Sequence, residues 1–166
     1  MAFGIYEASA PVFVRALTNL SAIIDKAVAQ GFDETELMQA RLAEDMRPFP
    51  AQIQLASDAA KGAVARLSGT ENPSMADTEA TLAELKTRIA ATIAFIHSVD
   101  RKAFEDAEDR EIILKIPSGE MQFNGAGYLT GFALPNFFFH VTTAYDLLRH
   151  KGVQIGKLDY LGPVQS

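Results

Sequence analysis

The segment Asn136-Phe-Phe-Phe-His-Val-Thr-Thr-Ala-Tyr-Asp-Leu-Leu-Arg-His150 reads as a long helix that is apolar around most of its circumference. A helix of that kind is buried on most sides, which calls for other helices around it. His140 lies inside it among Ala and Phe, and a buried titratable ring must find a partner or stay neutral. The chain holds three histidines and no cysteine, so few side chains can supply that partner.

The flanking sequence supplies the other helices. Ile5 to Gln30 carries Phe13, Leu17, Leu20, Ile23, Ile24 and Val28 at spacings of three and four, with one early proline, Pro11, and Gly31 as a C-terminal cap. Asp33, with Glu36 three residues on, caps a short helix through about Leu42. Pro48 and Pro50 end that segment, and a helix from Pro50 to Leu67 follows, apolar at Ile53, Leu55, Ala56, Ala60, Ala63, Val64 and Leu67. After a turn at Asn72 and Pro73, Asp77 or Thr78 starts a helix that reaches Val99, with Leu82, Leu85, Ile89, Ile93 and Ile96 on one face. The last helix is predicted from Gly125 to Lys151, capped by Asn124 and kinked at Pro135. The tail from Val153 to Ser166 reads as irregular.

One stretch changes period. Ile112, Leu114 and Ile116 alternate, as do Met121 and Phe123, around the turn residues Pro117-Ser118-Gly119-Glu120, so Glu111 to Phe123 is a predicted β-hairpin. The whole is one all-α domain over residues 1–166, an up-down four-helix bundle with a short extra helix and one hairpin before the last helix.

Composition narrows the partners. A net charge of -6 lacks the basic stripe that phosphate backbones require, so no nucleic acid is expected. No apolar run is long enough to span a bilayer. The start Met1-Ala-Phe-Gly-Ile-Tyr-Glu7 has no basic region before an apolar one, so no signal peptide is expected and the cytoplasm is the expected location. There is no glycine-rich phosphate loop, and Gly125-x-Gly127 lacks the remainder of the dinucleotide fingerprint.

Bundle cores hold small-molecule and metal sites on inward side chains of facing helices. His140 has Ala133, Asn136, Ala144 and Leu147 on its face, small or polar enough to leave room. On the helix from Pro50, the inward polar residues are read as Gln54 and Asp58, and a carboxylate there needs a partner. The simplest pairing is Asp58 with His140, directly or through one bridging atom. The plainer readings are a structural buried histidine and an Asp58 that reaches solvent beside Lys61. His97 and His150 lie in last turns of helices, where a cationic ring suits the dipole, and are read as surface residues.

The order of elements, the stretch Gln52-Ile-Gln-Leu-Ala-Ser-Asp58 and the motif Phe137-Phe-Phe-His140 resemble the DinB-like four-helix-bundle superfamily, and within it an uncharacterised bacterial branch of the domain-of-unknown-function kind. The resemblance covers nearly the whole chain. It implies a divalent metal on three histidines, one in the second bundle helix and two in the last at i and i+4, and in some relatives a thiol-dependent transferase or hydrolase activity. His140 matches the first of the last-helix pair. Ala144 stands where the second would be, and Ala51 to Leu67 contains no histidine. His150, ten residues from His140, lies about 80° round and about 15 Å along the helix, too far to share an ion.

The expectation is therefore a binding module with a small-molecule or degenerate metal pocket around His140 and Asp58, with Gln54 and Asn136 beside them. Any ion there would be weakly held zinc or nickel on His140 and Asp58. The alternative is a metal-dependent transferase or hydrolase. A homodimer is also expected, because Phe137 to Phe139 cover about 200° of their helix and a bundle core covers less; the alternative cover is the hairpin or the tail from Val153 to Leu161.

Overall fold

A computed structural model describes residues 3–163; residues 1–2 and 164–166, at the ends of the N-terminal and tail segments read above, lie outside the described residues. The helices are α1 (Ile5–Ala29), α2 (Glu34–Gln39), α3 (Phe49–Ser68), α4 (Leu82–Ser98), α5 (Gly125–Tyr128), α6 (Leu134–His150) and α7 (Lys157–Leu161). Between α4 and α5 lie a 3-10 turn, Arg101–Phe104, and two strands, β1 (Glu111–Ile116) and β2 (Gly119–Asn124). The strands pair antiparallel with Ile112 opposite Phe123 and Leu114 opposite Met121, as the period-2 pattern predicts. No helix among the described residues is long and apolar enough to cross a membrane.

The four long helices form the expected bundle. α1 and α3 lie across its short diagonal, and each packs against both α4 and α6. Side-chain bonds fix the directions. The end of α1 meets the start of α4 through Asp25 and Lys86, and Glu7 at its start meets Arg101 beyond the end of α4, so these two run antiparallel. Phe13 stacks edge-on against Phe137 and Gln30 bonds the backbone of Gln154, so α1 and α6 run parallel. The direction sequence is up, down, down, up, in place of the alternating up-down order expected from the sequence.

Two consecutive down helices require a return crossing, and residues 70–81 make it. Twelve extended residues reach about 40 Å, enough to climb back along the roughly 30 Å of a 20-residue helix. This strap passes Lys61 at Asn72 and reaches Gln54 at Glu79. Here the structure corrects the predicted start of α4. The helix begins four or five residues later, at Leu82, behind a capping box in which Thr81 Oγ1 accepts from Glu84 N (3.2 Å) and Glu84 Oε2 accepts from Thr81 N (3.1 Å). Asp77 and Glu79 are held out of the helix because both carboxylates bind Arg88.

The last predicted helix is divided. A π turn, Leu129–Ala133, separates α5 from α6, and Leu134 N bonds Leu129 O across five residues. Pro135 has no N–H, so the carbonyl four residues back loses its α-helical donor, and the wider turn before it absorbs the mismatch. Asn124 caps α5 as predicted, accepting from Gly127 N at 2.8 Å. Gly125 is needed for packing rather than for a nucleotide: a Cβ there would come within 1.8 Å of the Ala107 carbonyl oxygen.

The tail is more ordered than the sequence indicated. α7 lies on α1, tied by Lys26–Asp159 (2.5 Å) and by Asn19 Nδ2 donating to Tyr160 O (3.1 Å), and the Tyr145–Tyr160 ring pair (5.8 Å) joins it to α6. The three phenylalanines therefore meet different fates. Phe137 is fully buried, Phe138 is half-buried beside Tyr160, and Phe139 is 55 % exposed.

Candidate functional site

His140 points from α6 into the seam with α3, where its partner is Gln52. Gln52 Nε2 donates to Arg47 O (3.0 Å), which turns the carboxamide so that its Oε1 faces His140 Nδ1 (2.8 Å). Nδ1 therefore carries the proton, and Nε2 keeps its lone pair. Burial lowers the pKa of the ring below the usual histidine value, so it is held neutral.

The predicted Asp58–His140 pair does not form. Gln52 and Asp58 are six residues apart on α3, about 120° round the axis, so one faces α6 when the other faces the strap. Asp58 Oδ1 instead accepts from Arg88 Nη2 at 2.9 Å and lies 3.2 Å from Lys61 Nζ. Gln54 shares that stripe and donates to Glu79 Oε2 (2.9 Å). Sequence reading chose the wrong glutamine. The signal for Gln52 was its place at i−4 from Ala56 on the buried row that continues through Ala60 and Ala63.

Arg88, which the sequence reading passed over, is the centre of a second polar cluster. Its side chain is 2 % exposed. Nη1 bonds Ala76 O and Glu79 (both 3.0 Å), and Nη2 bonds Asp58 (2.9 Å) and Asp77 (3.0 Å). Burial alone would raise the Glu79 pKa, but the hydrogen bonds from Gln54 and Arg88, with the Arg88 charge, outweigh it and lower it. Burial opposes the charged Arg88, yet the bond to Glu79 and the charges of Asp58, Glu79 and Asp77 raise its pKa further. This cluster ties α3, α4 and the strap together. Of its buried side-chain atoms, only Arg88 Nε lacks a partner among the described residues.

Two of the predicted residues do meet in one place. Asp58 and Asn136 border a cavity of about 250 Å³ between α3, β1 and the π turn. Leu55, Leu114 and Phe132 form its apolar wall. Tyr128, buried to 2 % exposure, also lines it, and Arg66 Nη1 donates to its hydroxyl oxygen at 3.2 Å. Burial raises the Tyr128 pKa although Arg66 opposes it, so the phenol keeps its proton and can donate it. His140 lies outside this cavity. A groove of about 450 Å³ between α1 and α4 is larger, but Ala10, Pro11, Val14 and Ala22 line much of it and none of the candidate site residues borders it.

The donor set around His140 does not fit the three-histidine metal. The Nδ1 side is occupied by a carboxamide, Ala144 fills the i+4 position, Asp58 is turned away, and no group of three His, Asp or Glu side chains among the described residues is placed to hold a metal ion.

The pH response of this ring can be measured. The unfolded chain takes up a proton on residue 140 near pH 6.5, and the folded chain does so only at lower pH. Stability contributed at this position should thus fall as pH drops from about 6.5 towards the lowered folded value. Stability curves of the wild type and His140→Gln between pH 5 and 8 check it. A difference between them that does not change with pH would contradict a buried neutral ring.

Comparison with known proteins agrees with this architecture. The family described as "Domain of unknown function (DUF1993)" matches residues 5–161. A crystal structure of a DinB family member protein from Shewanella denitrificans superposes with a TM-score of 0.88 and 38 % identity, covering 97 % of this chain and 93 % of that one. No curated protein matches. The chain belongs to the DUF1993 family, a domain of unknown function built on the DinB-like helical bundle.

Proposed function

We propose that this DinB-like domain is a small-molecule-binding module whose ligand sits in the cavity bordered by Asp58 and Asn136, and that the His140 position carries no family metal chemistry. The observation that supports this reading most is the commitment of His140 to Gln52, while Asp58 and Asn136 border a cavity with an apolar wall. A cavity with a few converging polar groups is the usual form of a ligand site, and π turns are frequent at such sites. At about 250 Å³ it suits a ligand of one ring. The homodimer expected from the phenylalanine run would be seated on Phe139, the ring the chain leaves exposed.

The test has two arms. Protein purified without an affinity tag, exposed to zinc or nickel and desalted, should retain well under one equivalent. Benzamide, a neutral one-ring probe, should shift the backbone amide resonances of Phe132 and Asn136. A stoichiometric metal that His140→Ala removes would overturn the reading in favour of a metal-dependent transferase or hydrolase. Benzamide shifts absent from the cavity would remove the ligand site itself.

A further inference from the structure

We infer that the cavity between α3, β1 and the π turn selects a small amphipathic anion, a ring or short chain bearing one carboxylate. The inference rests on the cavity reading above and adds the charge of the ligand.

The chain as a whole carries a net charge of -6, yet the cavity rim is not acidic. Its one carboxylate, Asp58, is already engaged by Arg88 and Lys61. The two cations on the rim, Arg66 and Lys115, have no ion pair among the described residues. Lys115 stands opposite Glu120 in the hairpin register without bonding it. Arg66 makes one hydrogen bond, to the neutral Tyr128 hydroxyl, and lies over the same ring at 5.9 Å. That bond leaves the phenolic proton for an incoming acceptor. Arg66 with donors to spare, Lys115 and Tyr128 border one opening, and a guanidinium, an ammonium and a phenol O–H each stabilise a carboxylate. Below them, Leu55, Leu114 and Phe132 take up apolar surface.

A second observation concerns how Arg66 is placed. Gly62 lies one turn earlier in the interior of α3, where glycine is a poor helix former. A Cβ at Gly62 would lie 2.6 Å from Arg66 Nη1, and the other nearest atoms are Arg66 Cζ at 3.6 Å and Asn72 Nδ2 at 3.7 Å. The missing side chain is therefore the space in which the guanidinium rests. The helix gives up propensity at the one residue that lets Arg66 lie back against it and reach Tyr128.

This yields a variant that separates the site from the fold. Gly62→Ala should leave the melting temperature unchanged or raise it, because alanine is the better helix former and only the flexible end of Arg66 must move. The same variant should weaken benzoate. In the wild type, benzoate should bind about tenfold or more tighter than the isosteric benzamide, both followed by the Phe132 and Asn136 amides and by titration calorimetry. Arg66→Gln and Gly62→Ala should each erase most of that preference while leaving benzamide affinity in place. Equal affinity for the two probes, or a benzoate preference that survives both substitutions, overturns the anion inference and leaves the cavity reading standing. Failure of both probes to shift the cavity resonances overturns the two together.

Discussion

Arg88→Met should destabilise the fold by about 3 kcal/mol and release the strap from the bundle. Removing one partner of a buried ion pair costs about 3–5 kcal/mol because the remaining charge is left unpaired. The lower end applies, since Asp77 and Asp58 are 58 % and 40 % exposed and can turn to water once freed. Glu79, 11 % exposed and still bonded to Gln54, cannot. Urea denaturation reads the effect as a lower midpoint, and amide exchange in the first turn of α4 should rise with it, because the strap supplies that helix's cap. Asp58→Asn should cost far less, about 1 kcal/mol or under, as a partly exposed pair does. The acid limb of the wild-type stability curve has the same origin. The Glu79 pKa is lowered by folding, so its contribution is fully present above the unfolded carboxylate value, near 4.5, and disappears as pH falls through the folded value. A loss under about 1 kcal/mol in Arg88→Met would reduce the cluster to a surface network.

Phe137→Ala should be the most damaging single truncation in α6, costing about 3–5 kcal/mol and lowering the melting temperature by roughly 10 °C. Phe137 is fully buried and meets Phe13 edge-on at 4.8 Å and Phe138 at 5.2 Å, so its removal empties the seam between α1 and α6. Phe139→Ala, two residues away with the ring 55 % exposed, should stay within about 0.5 kcal/mol. Circular dichroism melts of the two variants side by side check the pair. Comparable losses at 137 and 139 would mean that Phe139 is buried in solution, as it would be in a homodimer.

The contrast between these phenylalanines shows what the sequence could and could not convey. Helical periodicity located α1, α3 and α6 to within a residue or two, apart from the π turn, because each buries a long apolar row whose spacing is local information. The hairpin was legible for the same reason, through the alternation of Ile112 and Leu114. The start of α4 was misplaced because Asp77 and Glu79 look like first-turn acids until their partner is known. Arg88 is eleven residues from Asp77 in sequence, and nothing local announces that it is buried. The site failed in the same way. Asp58 and Asn136 border one cavity, but the histidine's partner depended on which side of α3 faces α6. Gln52 and Gln54, two residues apart, point about 200° apart, so a small error in helix phase exchanged one for the other. That the tail forms a helix on α1 was out of reach too, since a five-residue helix has too few turns to show a period.

The π turn has a consequence for how this chain could have varied. An i→i+5 turn holds about one residue more than an α turn, so it is what a single insertion leaves behind in a continuous helix. Counted along the chain, everything before Leu129 is out of phase with everything after Ala133. Tyr128 and Phe132 thereby address the cavity and the hairpin, with their rings 6.1 Å apart, while Phe137 and Val141 address the bundle core. One helix serves two surfaces whose apolar rows would not fall in register on a straight rod. Among relatives, a one-residue deletion in this turn would rotate α5 and the hairpin relative to the core and leave the bundle itself unaltered. Length differences at this point, more than substitutions in the core, are the changes that would redraw the cavity.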